Sequence, residues 1–161
     1  MRSALLLSLL VAVSAAGQSA HPEARNVGDL KLMSFPGLPT CSPGAVQSGD
    51  PRSGPSIIYA KVAAGCTIPW HWHTPTETLM IVSGSAVLQP KDGKASTLRA
   101  GGFAVMPSHH VHKFSCPNGC TMFVSSDAAF DIHYVDKDEK EISPDDAMKP
   151  LKQTAAKPPA Q

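Results

Sequence analysis

The sequence predicts an all-β domain, a sandwich or a barrel of short strands. Two observations carry this expectation. From Ile57 to Val135, short apolar and β-branched runs recur between turn signals at regular spacing, which is the pattern of strands and not of helices. The 161 residues also include 12 glycines and 15 prolines, with sparse charge and few aromatics, a composition that favours many turns. No segment repeats at a fixed period.

The elements follow in order. Met1-Arg2, the apolar run Leu5 to Val13 and the small residues Ser14 to Gly17 read as a secretory signal peptide over residues 1–20, cleaved between Ala15 and Ala20. The apolar run is too short to span a membrane and no charge stops transfer after it. Residues 21–55 read as an irregular arm, because Pro36, Gly37, Pro39, Pro43 and Gly44 interrupt every periodic stretch. One short edge strand, Asp29 to Met33, is expected within it, and His21 is expected to be solvated. Residues 56–135 are the predicted barrel. Its first strand is Ile57 to Val62, and Thr67 to His73 is extended, with Pro69 limiting ladder bonds on one side. Glu77 to Val82 turns at Gly84, and Ala86 to Gln89 enters a hairpin at Asp92-Gly93. Ala95 to Leu98 returns, Phe103 to Met106 stops at Pro107, and Val111 to Cys116 and Thr121 to Ser125 flank a Cys-Pro-Asn-Gly-Cys turn. Phe130 to Val135 is the last strand. Residues 136–161 should hold a helix of one or two turns, with Ser143 as N-cap and Pro144 at its first position, and then a disordered tail from Lys152.

Net charge is +1, so nothing points to nucleic acid or an anionic surface. No nucleophile elbow, phosphate loop or nucleic-acid module is present. Cys41, Cys66, Cys116 and Cys120 are an even number behind an export signal, which points to disulfides and an exported, periplasmic or extracellular, protein. Four cysteines allow three pairings. Asn-Gly suits a tight hairpin turn that a Cys116–Cys120 bridge would close, and Cys41 with Cys66 would then tie the arm to the barrel. A thiolate metal site is the alternative.

The chemistry concentrates in Gly65 to Gly84. His71 and His73 share a face if the backbone is extended, and Glu77 follows past Thr74-Pro75, a pair that favours a bend. Two imidazoles and a carboxylate could meet there around a borderline or hard divalent ion. A lone histidine is more often a satisfied core or surface residue; several groups at this spacing argue otherwise. The stretch reads G, five residues, H-x-H, three residues, E, six residues, G, and so resembles the first motif of the cupin superfamily. Gly101 to His112 resembles the second motif, G, five residues, P-x-G, two residues, H, three residues, N. It departs from it at His109, where the family usually has Gly, and at Cys116, where it often has Asn.

The resemblance covers the barrel alone. It implies a double-stranded β-helix, a small jelly roll, holding one divalent ion (Fe, Mn, Ni, Cu or Zn) on His71, His73, Glu77 and His112, with open positions for a small-molecule ligand or substrate. It also implies pairing of two copies through strands. Glu77 is a candidate general base. His110, two residues before His112, is a candidate inward-facing partner or a rim residue. Trp70 and Trp72 should face away from the ion, as core or dimer packing. Leu79 and Ile81, with Phe103, Val105 and Phe114, are expected to form an apolar pocket, and His133 and Tyr134 cannot both face inward. No paired Arg stands near the motifs to recruit an acidic substrate; Lys61, Arg99 and Lys113 are the basic candidates. Two functional classes follow: a metal-dependent oxygenase, isomerase or lyase, or a non-catalytic exported protein that binds metal or a small ligand. A purely structural role is a minor third.

Overall fold

The computed structural model describes residues 24–155. The leader expected over residues 1–20, His21 and the chain end at residues 156–161 lie outside the described residues. The strands are β1 (Gly44–Gly49), β2 (Ser56–Val62), β3 (Cys66–Trp72), β4 (Glu77–Pro90), β5 (Ser96–Arg99), β6 (Phe103–Met106), β7 (His112–Cys116), β8 (Cys120–Ser126), β9 (His133–Val135) and β10 (Glu141–Ile142), followed by the helix α1 (Pro144–Ala155). Every pairing is antiparallel. One sheet joins β1, β2, β8, the first half of β4 and β6. The other joins β5, the second half of β4, β7, β3, β9 and β10. Their inner faces close on one apolar core that includes Val62, Ile68, Leu79, Ile81, Leu88, Phe114 and Met122. This is the jelly roll expected. Among the described residues no helix is long and apolar enough to cross a membrane.

Gly84 does not reverse the chain, as its place after an apolar run had led us to expect. β4 runs through it as one 14-residue strand. The register slips between Ile81 and Ser83, a bulge that increases local twist and bends the strand out of one sheet into the other. Gly84 sits there at φ +72°, and a Cβ on it would lie 2.2 Å from the Gly119 carbonyl oxygen, so both backbone angle and space require glycine.

The Cys-Pro-Asn-Gly-Cys turn is closed by its own Cys116–Cys120 bridge, but it is not a hairpin. β7 pairs with β3 and β4, whereas β8 pairs with β2 and the other half of β4. The turn therefore carries the chain from one sheet to the other. The second bridge joins Cys41 to Cys66 and fastens the arm to the start of β3.

The arm is more ordered than its Pro and Gly content implies. Gly44–Gly49 pairs along β2 and buries Ala45, so partnership with a neighbouring edge outweighs local propensity. Asp29 to Met33 is no strand: Val27–Asp29 is a 3-10 turn, and only Met33 bridges, to Gly44. At the other end α1 makes three turns, capped by the Asp146 N–H donating to Ser143 Oγ at 3.1 Å. It outruns the one or two turns expected and occupies positions 152–155 of the anticipated tail. Ala147 and Met148 pack against the core, and such docking stabilises a helix beyond its propensity. β9 is shorter than expected; Phe130 to Ile132 precede it as loop.

Candidate metal centre

Local backbone features bring the motif residues to one end of the barrel. Cys66 and Ile68 face the core from β3, and strict alternation would send His71 outward. The ladder slips between Ile68 and His71, where Pro69 has no N–H to give it. The slip shifts the phase by one, so His71 faces inward with Ile68. It pairs directly across the sheet with His112, the first residue of β7, and their rings are 4.2 Å apart. His73 follows β3, and Glu77 opens β4 between Met106 and Ser126.

One ligating nitrogen from each of His71, His73 and His112 lies within 4.8 Å of the others. The Glu77 oxygens stand 3.6 Å from His73 Nε2 and 3.4 Å from His112 Nε2. All four side chains are buried. Each histidine turns Nδ1 toward a backbone carbonyl: His71 to Pro69 at 2.6 Å, His73 to Asp131 at 2.5 Å and His112 to His110 at 2.9 Å. A carbonyl only accepts, so each Nδ1 carries a proton and each ring is left with Nε2 free to face the site. His73 Nε2 and His112 Nε2 are buried with no hydrogen-bond partner, an arrangement a fold rarely leaves unsatisfied. Three oriented nitrogens and one carboxylate are a donor set that could hold a divalent ion.

Burial, reinforced by the neighbouring rings, holds the His71 imidazole well below its ordinary value, and burial lowers His73 as well, against the pull of Glu77. Burial pushes the Glu77 carboxyl up, but His73 and His112 together bring it below the usual value. The unfolded chain therefore takes up protons that folded His71 and His73 refuse. The metal-free protein is expected to lose stability progressively as pH falls below about 6.5, the ordinary histidine value, with full stability above it. Urea midpoints compared across that pH check this, and a flat profile would count against it.

Asp131 and Asp127, which sequence reasoning missed, hold the loop between His73 and Glu77. Asp131 Oδ1 accepts from the Thr74 N–H at 2.7 Å, and Asp127 Oδ1 accepts from the Thr76 N–H at 2.9 Å. Nothing in their spacing marks them, because they arrive from the segment between β8 and β9. His109 keeps the conformation its glycine-like place demands, with φ +60°. Its N–H donates to the His73 carbonyl at 2.8 Å, and its ring stacks on Trp72 at 4.4 Å. Ser108 Oγ donates to the Thr74 carbonyl and accepts from His109 Nδ1. A side chain in this backbone region costs about 1–2 kcal/mol, which these contacts offset. His109→Ala should therefore lower stability by about 1–2 kcal/mol and His109→Gly by much less, since glycine also sheds the backbone cost; thermal unfolding of both variants checks it.

The remaining expectations divide. Tyr134 faces inward, 1% exposed, its ring 6.0 Å from His71, and donates to the Gly37 carbonyl at 2.8 Å. His133 faces outward and stacks on Trp72 at 3.9 Å. Trp70 and Trp72 point away from the centre as expected, but neither is core: Lys91 lies over Trp70, and Trp72 is held between two histidines. The His110 ring does not join the centre. The strand begins only at His112, so alternation does not extend back to His110, whose Nε2 pairs with exposed Asp92 at 3.3 Å; only its carbonyl serves the site, through His112.

Phe103 and Val105 are 60% and 44% exposed; Met106 and Ala104 turn inward instead, so the expected phase of β6 was off by one. Leu79, Ile81 and Phe114 are core but do not line the cavity beside the centre. That cavity, of about 50 Å³, is walled by Ile58, Ala60, Ile68, Met122 and Val124, with Phe35 and Leu38 from the arm. None of Lys61, Arg99 and Lys113 lines it.

This jelly roll, with its histidines and glutamate gathered at one end, defines a class: residues 58–124 match the family model described as Cupin domain. The barrel is a cupin domain. Among solved structures it is similar to the polyketide cyclase RemF from Streptomyces resistomycificus, with TM-score 0.62 and 17% identity over 72% of this chain and 87% of that one. It is also similar to a protein assigned as an acetylacetone dioxygenase from Methylibium petroleiphilum, with TM-score 0.59 and 16% identity over 77% and 88%. A third is an RmlC-like cupin from Shewanella frigidimarina, with TM-score 0.56 and 16% identity over 68% and 92%. At these identities the likeness shows the fold alone. No curated protein matches the sequence.

Proposed function

We propose that the chain is an exported cupin that holds one divalent ion on His71, His73, Glu77 and His112 and acts as a metal-dependent enzyme on a small organic molecule. The observation that carries this reading is the pair of buried, unpartnered Nε2 atoms aimed at a carboxylate beside an apolar cavity. The ion would supply Lewis acidity and open coordination positions. The chain orients the imidazoles through their Nδ1–H bonds, excludes water with its apolar wall, and offers Glu77 as the one carboxylate in the cavity lining, suited to take a proton from a ligand. His110, paired outward with Asp92, leaves that role to Glu77. The names of two structural neighbours, a cyclase and a dioxygenase, are in keeping with an oxygenase, isomerase or lyase.

A second reading is a non-catalytic binding protein for metal or a small ligand. It is favoured by the cavity wall itself, which among the described residues holds no titratable side chain beyond His71, His73 and Glu77. Elemental analysis of protein from the exported fraction, then a substrate panel with oxygen uptake recorded, separates the two. Turnover that Glu77→Gln abolishes supports the enzyme; bound metal without turnover supports the metal binder; no metal in the intact protein defeats the enzyme and the metal binder and leaves a small-ligand binder. Export itself is supported by the two disulfides and the leader-like N-terminus, and recovery of the chain with four free thiols would contradict it.

Pairing of two copies is part of the proposal. Met80 pairs with Phe103 and Thr78 with Val105 across β4 and β6, and Phe103, Val105 and, further along β4, Val82 are exposed, a largely apolar surface suited to a second copy. Phe103→Glu with Val105→Lys is expected to halve the mass seen by light scattering, with metal content unchanged.

A further inference from the structure

The cavity beside the centre is closed by residues that lie outside the matched domain. Phe35 and Leu38 stand at the ends of a tight turn, in which the Leu38 N–H donates to the Phe35 carbonyl at 3.2 Å. Three features fix this turn in place. Tyr134 donates its hydroxyl to the Gly37 carbonyl, the Cys41–Cys66 bridge anchors the chain just beyond it, and the Phe35 ring lies against Gly44, where an added Cβ would be 3.2 Å away. The turn is thus a built part of the site and not a loose flap.

The chemistry of the lining defines what fits. His71, His73 and Glu77 form one end, and Ser42 is the only other polar side chain in the lining among the described residues. Among the described residues no cation lines the cavity, so a carboxylate or phosphate remote from the centre would be buried without a partner, and a sugar would bury hydroxyls against Ile68, Met122 and Val124. The volume of about 50 Å³ has room for about two water-sized groups.

We propose that the Phe35–Leu38 turn is the size-selecting roof of the site, and that the site takes a compact ligand with an oxygen-donor head and an apolar body of few carbons. The proposal rests on the metal-centre reading for the head and on the cavity for the body. The matched domain supplies the apolar walls and the candidate ligands, and the arm sets the length of body they accept.

The test uses the full chain loaded with Ni(II), metal content measured on every sample, and calorimetric titration with acetohydroxamate and benzohydroxamate as chelating probes of equal head and unequal body. Acetohydroxamate should bind the wild type at least about 30-fold more tightly than benzohydroxamate, and Phe35→Ala or Leu38→Ala should cut that ratio about tenfold without changing metal stoichiometry. Phe35→Leu, a milder change, keeps the comparison open should an alanine variant misfold, and should cut the ratio by a smaller factor. A wild type with one ion per chain that binds both probes equally, or ratios unmoved by every roof variant, would overturn the roof alone. A wild type that takes up no metal would overturn the centre and the ligand assignment together.

Discussion

His112→Ala should reduce bound metal from about one ion per chain to less than about a tenth after dialysis, because it removes one of three oriented nitrogens and unbalances the rest. His112 is 1% exposed and pairs across the sheet with His71, so nothing else can move in to replace it. His71→Ala and His73→Ala should act alike. The informative control is His110→Ala. It removes an imidazole only two residues away, yet that ring pairs with exposed Asp92, so metal content should stay at the wild-type level. Elemental analysis, with far-ultraviolet circular dichroism to confirm folding, decides the matter. Equal losses from His110→Ala and His112→Ala would mean that the centre lies elsewhere.

Removing the Cys41–Cys66 bridge, as the double alanine variant, should cost about 3–4 kcal/mol of stability. Removing Cys116–Cys120 should cost about 2. The difference follows from the chain enclosed, 25 residues against 4, since a longer closed loop removes more entropy from the unfolded state. Cys66 and Cys116 face each other across β3 and β7, so both bridges brace the same end of one sheet. The longer one has the added task of holding the arm over the cavity. Urea unfolding of the two double variants ranks them, and a larger loss from the Cys116–Cys120 pair would contradict the entropic account.

The residues that the fold brings together at the candidate centre were legible because of their spacing. His71, His73, Glu77 and His112 each sit at a motif position, and motif positions survive local irregularities that alternation alone does not. The slip at Pro69 shows why. Counting by twos from Ile68 places His71 on the wrong face, and only a bulge, invisible to periodicity, restores it. The same weakness misled the reading of β6, where a four-residue strand gives too few alternations to fix its phase, so Phe103 and Val105 were assigned inward. The arm was opaque for a different reason. Phe35 and Leu38 reach the cavity through a turn held by Tyr134 and a disulfide, contacts that join residues 97 and 25 positions apart and leave no local trace. Asp127 and Asp131 are of the same kind, carboxylates whose purpose is defined by the loop they happen to face.

The unbroken passage of β4 through both sheets has a consequence for how the molecule comes apart. Its first half is laddered to β8 and β6, and its second to β7 and β5. Neither sheet can melt without tearing out half of a strand that the other still holds, so intermediates with one sheet intact are costly and unfolding is a single cooperative event. Glu77 stands at the first residue of that strand. An ion gripped there would pull on the shared strand, and its binding energy would be felt as slower opening of amides in both sheets, including those at the far end around the disulfides.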